Sequence, residues 1–202
     1  MITLLCDVDG VIADYLGAAL DVIHGFTGHR FTPDHVTHWD FMSSPEIAQK
    51  LELFDHVTMD LVEQRMSLPG ACMGLKPLPG AIAAMAEILE MAHVKTLFVT
   101  APLGAGMTWP KEREDWLAYH LGHDRKNVIH AHRKEHVRGD IFVDDNIKHV
   151  RAWAKHNSGR AILWNAPHNR DDEWSDRMSD WQELLSILRA YGEGAVDGQR
   201  TG

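Results

Sequence analysis

The chain has 202 residues, of which 45% are apolar and 24% are charged, and its formal net charge is −9. These values exclude disordered and fibrous classes for most of the chain, and the acidic balance argues against a surface for nucleic acid polymers. Since no apolar run reaches the ~18–20 residues of a membrane span and two cysteines make no disulfide framework, we expect a cytoplasmic protein without membrane partners.

Apolar periodicity predicts alternating strands and helices over most of the chain. In chain order, the predicted elements are a strand at 2–6, a helix at 11–26, a loop at 27–40, a helix at 45–61, a helix at 80–89, a strand at 94–99, a loop at 103–108, a helix at 110–121, a weak strand at 127–130, a strand at 141–143, a helix from 147, a strand at 161–164, a polar loop to about 178 and a helix from 181.

This alternation predicts an α/β fold with a parallel, doubly wound sheet and helices on both faces. The mostly helical segment 15–76 separates the first strand from the second, and we interpret it as a small helical cap inserted over the edge of the sheet. The core domain then comprises 1–14 and 77–191. The glycine-rich end, 192–202, is predicted to be a flexible tail.

Acidic side chains follow two of the predicted buried strands. Asp7 and Asp9 come after the first strand, and Asp144 and Asp145 come after the strand at 141–143. Like charges next to apolar strands are costly unless a cation or a shared proton compensates them. Four carboxylates at one sheet edge therefore predict a site for a hard divalent cation such as Mg²⁺, which could clamp a phosphate oxygen.

These motifs resemble those of the haloacid dehalogenase-like (HAD) phosphohydrolases, in which a Rossmann-like core carries four short motifs in this order. The motifs are Asp7-Val8-Asp9-Gly10-Val11, Thr100 at a strand end, Lys134, and Gly139–Asp145. Within that superfamily the chain is most similar to the 5'(3')-deoxyribonucleotidases. The stretches that carry this likeness are Asp7–Asp14 (DVDGVIAD), Leu75–Ala81 (LKPLPGA), Val99–Pro102 (VTAP), Phe142–Asp145 (FVDD), Pro110, Trp116, His168-Asn169 and Trp181.

The resemblance implies a Mg²⁺-dependent phosphomonoester hydrolase. Asp7 would be the nucleophile that takes the phosphoryl group, and Asp9 would protonate the leaving oxygen and then activate water. Mg²⁺ would be held by Asp7, the backbone carbonyl of Asp9 and Asp145, with Asp144 nearby. The substrate would be a small phosphorylated molecule, and a (deoxy)nucleoside monophosphate is the leading interpretation.

The resemblance also assigns residues to the phosphate. Thr100 and the backbone N–H of Ala101 would hydrogen-bond its oxygens, and Lys134 would neutralise its charge. Relatives commonly have serine at the position of Ala101, so one hydroxyl contact is lost and the backbone donor is kept. Arg113 stands where relatives have lysine, and we expect it either to contact the phosphate or to lie on a solvated helix face.

Aromatic residues of the predicted cap would line the nucleoside pocket. Tyr15 and Phe41 fall at positions that match pocket aromatics of the deoxyribonucleotidases, and aromatic faces suit a base or a deoxyribose. Met66 falls where such relatives have tryptophan, so the pocket is predicted to be wider and less selective. The alternative is that Phe41 and Met66 simply pack the cap against the core.

Other functions stay open at the level of sequence. One alternative is a HAD phosphatase for a sugar phosphate or another metabolite. Another is a regulatory module that is phosphorylated on aspartate without turnover, although receiver domains have a different motif order and no cap. His130, His132 and His136 resemble a zinc site only weakly, because no fourth ligand lies nearby. A homodimer is considered, but the sequence does not decide the oligomeric state.

Overall fold

The computed structural model describes residues 1–104 and 106–197. Six parallel strands form one sheet in the order β3-β2-β1-β4-β5-β6. The strands are β1 (Ile2–Cys6), β2 (Val94–Thr100), β3 (Val128–His130), β4 (Ile141–Asp144), β5 (Arg160–Trp164) and β6 (Arg177–Met178). The predicted α/β class with a parallel sheet is confirmed.

Helices pack on both faces of this sheet. They are α1 (Tyr15–Thr27), α2 (Pro45–Leu51), α3 (Met59–Met66), α4 (Ala81–Leu89), α5 (Trp109–Leu121), α6 (Ile147–His156) and α7 (Trp181–Asp197). Successive side chains of a strand point to opposite faces. Leu4 and Cys6 accordingly belong to one large apolar cluster, whereas Leu5 belongs to a second cluster with Phe142 and Trp153 of the other face.

The first helix begins later than the sequence predicted. We predicted a helix from residue 11, but α1 begins at Tyr15. Before it, the chain makes a tight turn in which Gly10 has a φ of 75° and Asp9 forms an isolated bridge with Ala13. The carboxylate of Asp14 then accepts a hydrogen bond from the backbone N–H of Gly17 at 2.8 Å and caps α1.

The predicted helix 45–61 is also wrong in its extent, because the structure has two helices, α2 and α3, with a turn between them. Val57 is buried in that turn, so the apolar spacing continues across the break and conceals it from the sequence pattern. The hydroxyl of Thr58 accepts a hydrogen bond from the N–H of Leu61 at 3.2 Å, which gives α3 a cap of its own.

Two differences lie near the C-terminus. The segment predicted as a polar loop to about residue 178 contains the short strand β6, which pairs with the end of β5. The predicted flexible tail, 192–202, begins inside α7, since that helix extends to Asp197. The rest of the tail, 198–202, lies outside the described residues.

The segment 15–76 contains α1, α2 and α3 and lies between β1 and β2 in the sequence. Its two ends are joined at the core, where Ala13 forms an antiparallel bridge with Pro77 and the N–H of Asp14 donates to the carbonyl of Lys76 at 2.8 Å. The inserted segment therefore leaves the sheet and returns to it at one place, above the carboxyl end of β1.

Candidate active site

A cavity of about 530 Å³ opens where the carboxyl ends of β1 and β4 lie side by side. Asp7 directly follows β1, and its N–H donates to the carbonyl of Val143 in β4 at 2.9 Å. Asp7, Asp9, Lys134 and Asp145 all line the cavity. Because ligands of open parallel sheets bind at the carboxyl ends of strands, the fold itself selects this edge.

A buried lysine links two of the carboxylates. The Nζ atom of Lys134 lies 2.7 Å from Oδ2 of Asp7 and 2.7 Å from Oδ2 of Asp144. The side chain of Lys134 is 1% exposed and that of Asp144 is fully buried. The remaining oxygens accept backbone hydrogen bonds, Oδ1 of Asp7 from Val8 at 2.7 Å and Oδ1 of Asp144 from Asn146 at 2.8 Å.

The cluster holds more negative than positive charge. Burial, and next the charge of Asp144, raise the pKa of Asp7 to about 7. Burial and the neighbouring Asp144 and Asp7 also raise the pKa of Asp145 well above its ordinary value. For Asp144, burial acts in the same direction, but the ammonium of Lys134 outweighs it and the pKa is lowered. One lysine therefore does not compensate three buried carboxylates.

This arrangement fits a hard divalent cation. Asp7, Asp144 and Asp145 each offer a carboxylate oxygen, and these atoms lie within 4.8 Å of one another. Gly10 leaves the space that the cluster needs, because a Cβ atom there would fall 1.7 Å from Oδ2 of Asp145. Oxygen donors in this number suit Mg²⁺ or Ca²⁺ better than a nitrogen- and sulfur-binding metal.

Asp9 and Arg113 form an ion pair that the sequence did not predict. NH2 of Arg113 donates to Oδ1 of Asp9, whose side chain is 23% exposed, whereas the side chain of Arg113 is fully buried. Asp9 lines the cavity and Arg113 does not. The expected solvated helix face is therefore wrong, because α5 directs the guanidinium into the protein behind Asp9, whereas contact of Arg113 with the phosphate stays a prediction.

The loop that follows β2 forms another part of the site, whereas Thr100 at the strand end does not itself line the cavity. Thr100 is fully buried, and among the described residues its hydroxyl has no hydrogen-bond partner, which is uncommon for a buried polar group. The residues that follow it, 101–104, line the cavity, so the loop that contains Ala101 borders the same space as Asp7.

Aromatic and apolar residues form a further part of the cavity wall. Tyr15 and Phe41, which the sequence singled out, both line the cavity. Burial and the nearby carboxylate of Asp9 raise the pKa of the Tyr15 phenol. Met66 does not line the cavity: it is the last residue of α3, is 3% exposed and packs in the core, whereas Met59 and Glu63 of the same helix face the cavity.

Several further residues of the cavity were missed as site residues. Trp109 at the start of α5 lies edge-on to Tyr15, with ring centroids 6.1 Å apart, and exposed Trp39 packs edge-on against His168 at 4.8 Å. His149 lies 3.3 Å from Oδ2 of Asp144. Trp39 stands two residues before Phe41, His168 lies in a stretch that carries the family likeness, and His149 stands one helical turn after Asp145, so each carried a signal that could have found it.

The predicted zinc alternative is not supported where the structure can test it. Over residues 1–104 and 106–197, the side chains close enough to share a metal ion are the three buried aspartates, and His130, His132 and His136 do not form such a group.

No helix of this part of the chain has both the length and the apolar character to cross a membrane.

Comparison with known proteins identifies the family. The family model described as "5' nucleotidase, deoxy (Pyrimidine), cytosolic type C protein" matches residues 1–191. The human 5'(3')-deoxyribonucleotidase, cytosolic type, is 27% identical over 206 residues, covering 95% of this chain and 97% of the relative.

Solved structures agree on the fold. A conserved haloacid dehalogenase-like protein of unknown function from Agrobacterium tumefaciens aligns with a TM-score of 0.60 at 15% identity, covering 95% of this chain and 99% of that one. A haloacid dehalogenase-like hydrolase from Streptococcus pneumoniae aligns with a TM-score of 0.58 at 11% identity, covering 93% and 98%. The predicted HAD-type fold and nucleotidase class are confirmed, and the chain belongs to the 5' nucleotidase, deoxy (pyrimidine), cytosolic type C family.

Proposed function

We propose that this protein is a Mg²⁺-dependent nucleotidase that hydrolyses deoxynucleoside monophosphates through an aspartyl-phosphate intermediate. The observation that carries the proposal is the position of Asp7, buried at the cavity beside Lys134, with Asp9 two residues further on and facing the same space. The name of the human relative supports a deoxyribonucleotide substrate.

Two carboxylates divide the chemistry. An oxygen of Asp7 bonds to phosphorus while the bond between phosphorus and the nucleoside oxygen breaks. The nucleoside oxygen keeps the electron pair of the broken bond and receives a proton from Asp9. Water then attacks the phosphorus of the aspartyl phosphate and gives a proton to Asp9. The phosphorus–oxygen bond to Asp7 breaks, so inorganic phosphate leaves and both side chains return to their starting states.

Asp7 and Asp145 would hold Mg²⁺, with Asp144 beside them and the backbone carbonyl of Asp9 as a further ligand. Bound Mg²⁺ supplies positive charge that neutralises the phosphate oxygens and keeps the nucleophile ionised. EDTA should therefore stop turnover and Mg²⁺ should restore it, whereas Ca²⁺ should support it poorly because it prefers more ligands and a looser geometry. Restoration by Zn²⁺ but not by Mg²⁺ would contradict this assignment.

Phosphate binding would use donors that the site keeps available. The hydroxyl of Thr100, which has no partner among the described residues, and the backbone N–H of Ala101 would donate to phosphate oxygens. Lys134 would stabilise the negative charge of the transferring group from its place between Asp7 and Asp144. Fixed donors of this kind stabilise the transition state without reorganisation.

Aromatic residues around the cavity would bind the nucleoside. Tyr15, Phe41 and Trp39 come from the inserted segment and line the same cavity as the carboxylates. An aromatic face provides stacking for a base whatever its hydrogen-bonding pattern. Met66 packs in the core, so the width of the nucleoside pocket depends on Met59 and these aromatic residues instead.

A panel of monophosphates tests the proposal. We expect turnover of dUMP, dTMP and dGMP to exceed turnover of sugar phosphates, and Asp7→Asn should abolish it while the circular dichroism spectrum stays unchanged. Preference for a sugar phosphate would favour the other metabolite phosphatase. A protein that is phosphorylated once by an aryl phosphate and never turns over would favour the regulatory module.

Phe41→Ala tests the nucleoside pocket. The variant should raise KM for nucleotides and leave the kinetics with p-nitrophenyl phosphate nearly unchanged, because only the nucleotide contacts the aromatic wall. Equal losses with both substrates, or a loss of stability alone, would show that Phe41 is a core residue.

Two further expectations concern the setting of the enzyme. The relative's description as cytosolic supports a cytoplasmic location, which fluorescence microscopy of the tagged protein would test. The homodimer considered from the sequence stays a prediction, and sedimentation analysis at micromolar concentration would decide it.

A further inference from the structure

Arg113 is a fully buried arginine that contacts the candidate proton donor. Its NH2 atom donates to Oδ1 of Asp9, and the side chain of Arg113 is 0% exposed. Burying a guanidinium is costly unless a partner compensates its charge. Its Nε and NH1 atoms have no hydrogen-bond partner in the described part of the chain, so Asp9 is its one ion-pair partner there.

Two tryptophans restrict the movement of this guanidinium. The guanidinium carbon of Arg113 lies 5.5 Å from the ring centroid of Trp109 and 5.6 Å from that of Trp116. Cation–π contacts of this kind are favourable when they are removed from water. All three residues belong to α5, so the helix carries the arginine together with the aromatic rings that hold it in place.

The helix α5 is itself fixed to the end of the inserted segment. The carboxylate of Glu112 accepts hydrogen bonds from the N–H groups of Gly70 and Met73 at 2.9 and 3.3 Å. The indole N–H of Trp116 donates to the carbonyl of Leu75 at 2.8 Å. The helix that carries Arg113 is thus anchored to the inserted segment through Glu112 and Trp116, and this anchoring fixes the position of the guanidinium beside Asp9.

We propose that Arg113 is a positioning residue that holds the carboxylate of Asp9 for proton transfer. By donating to Oδ1, it fixes the rotamer of Asp9 and leaves Oδ2 to hand a proton to the leaving oxygen and later to receive one from water. Arg113 lies outside the cavity lining and touches no reacting atom, so it acts through Asp9 alone. This inference rests on the proposed function, in which Asp9 is the general acid.

The proposal makes the effect of Arg113 depend on the leaving group. The alkoxide of a nucleoside leaves poorly without a proton, whereas 4-nitrophenolate leaves with little help. General acid–base catalysis typically raises a rate by ~10²–10⁴-fold, and an Asp9 carboxyl displaced from its position loses part of that increase. The value of kcat/KM reports the first irreversible step, so it isolates leaving-group departure from the later hydrolysis of the aspartyl phosphate.

The test compares dTMP and a series of substituted aryl phosphates with the wild type, Arg113→Met and Arg113→Lys. For Arg113→Met we expect kcat/KM to fall by about tenfold or more with dTMP and by less than about threefold with p-nitrophenyl phosphate. The plot of log kcat/KM against leaving-group pKa should become steeper. Arg113→Lys keeps the positive charge, so its kcat/KM with dTMP should lie between those of the wild type and Arg113→Met. Arg151→Met, at an exposed arginine, is the matched control for the loss of an arginine.

A coupling experiment and a folding control make the result decisive. In an Asp9→Asn background, Arg113→Met should change the residual rate no further with the aryl phosphate whose leaving group has the highest pKa, the one of the series that depends most on the acid, because the residue through which Arg113 acts is gone. If Arg113→Met does not fold by circular dichroism, the slope is read from Arg113→Lys. Parallel losses with an unchanged slope overturn the role of Arg113, whereas a wild type without turnover of any monophosphate refutes the proposed function itself.

Discussion

Replacing Lys134 with methionine removes the one ammonium that lies between Asp7 and Asp144. The methionine side chain is of similar length and apolar, so it fills the space without adding a clash. The two carboxylates that Lys134 contacts at 2.7 Å stay behind, and both are nearly inaccessible to water. The variant therefore isolates the electrostatic role of this buried cation.

The structure sets the size of the effect. Breaking a buried ion pair by removing one partner costs about 3–5 kcal/mol, since the remaining charge is neither hydrated nor compensated. For a chain of this length, each kcal/mol corresponds to about 2–4 °C in Tm. We expect Lys134→Met to lower Tm by about 6–20 °C and to abolish turnover of monophosphates, because the phosphate also loses its cation.

Urea unfolding followed by circular dichroism measures the loss in the free energy of unfolding. EDTA is added because a bound cation would compensate the carboxylates and mask the effect. The double variant Lys134→Met/Asp144→Asn is the control, because it also removes one of the uncompensated carboxylates and should recover part of the lost stability. A single variant within about 1 kcal/mol of the wild type, or a double variant less stable than the single one, would refute this reading of the cluster.

Three further changes test other parts of the structure. Gly10→Ala should weaken Mg²⁺ binding in calorimetric titrations, because its Cβ would fall 1.7 Å from Oδ2 of Asp145. Gly28→Ala is the control: Gly28 has a φ of 71° and open space around it, so the variant should lose only about 1 kcal/mol of stability to backbone strain. Trp116→Phe should lower the free energy of unfolding by about 1–3 kcal/mol in denaturant titrations, since a buried carbonyl loses its donor. Trp153→Ala should cost about 3–5 kcal/mol in the same assay, because it empties the core on the second face of the sheet.

The sequence by itself determined the framework of the site. Apolar runs that end in Asp7, Thr100 and Asp144 marked three buried strands, because strand formation and the cost of placing carboxylates beside them are both local properties. Parallel strands direct their carboxyl ends to one edge, so the pattern also implied that these residues meet. The short motifs then indicated a metal-dependent phosphohydrolase and its candidate residues.

Other features followed only from the packed structure. The turn at 52–58 was concealed because Val57 keeps the apolar spacing, and β6 has only two residues, too few for a periodic signal. The core position of Met66 depends on where α3 ends against neighbouring elements, which no spacing rule encodes.

The partner of Arg113 is the clearest case of a feature that tertiary structure decided. On α5, the spacing of Arg113 from Trp109, Trp116 and Leu117 places it on the apolar face of the helix, but an arginine is usually solvated and the spacing does not name its partner. Its helical neighbours Trp109 and Trp116 flank it, but only packing brings it to Asp9, 104 positions earlier in the chain. Sequence patterns report local conformation and the average burial of a residue type, whereas a single ion pair between distant segments exists only once both segments have folded against the same core.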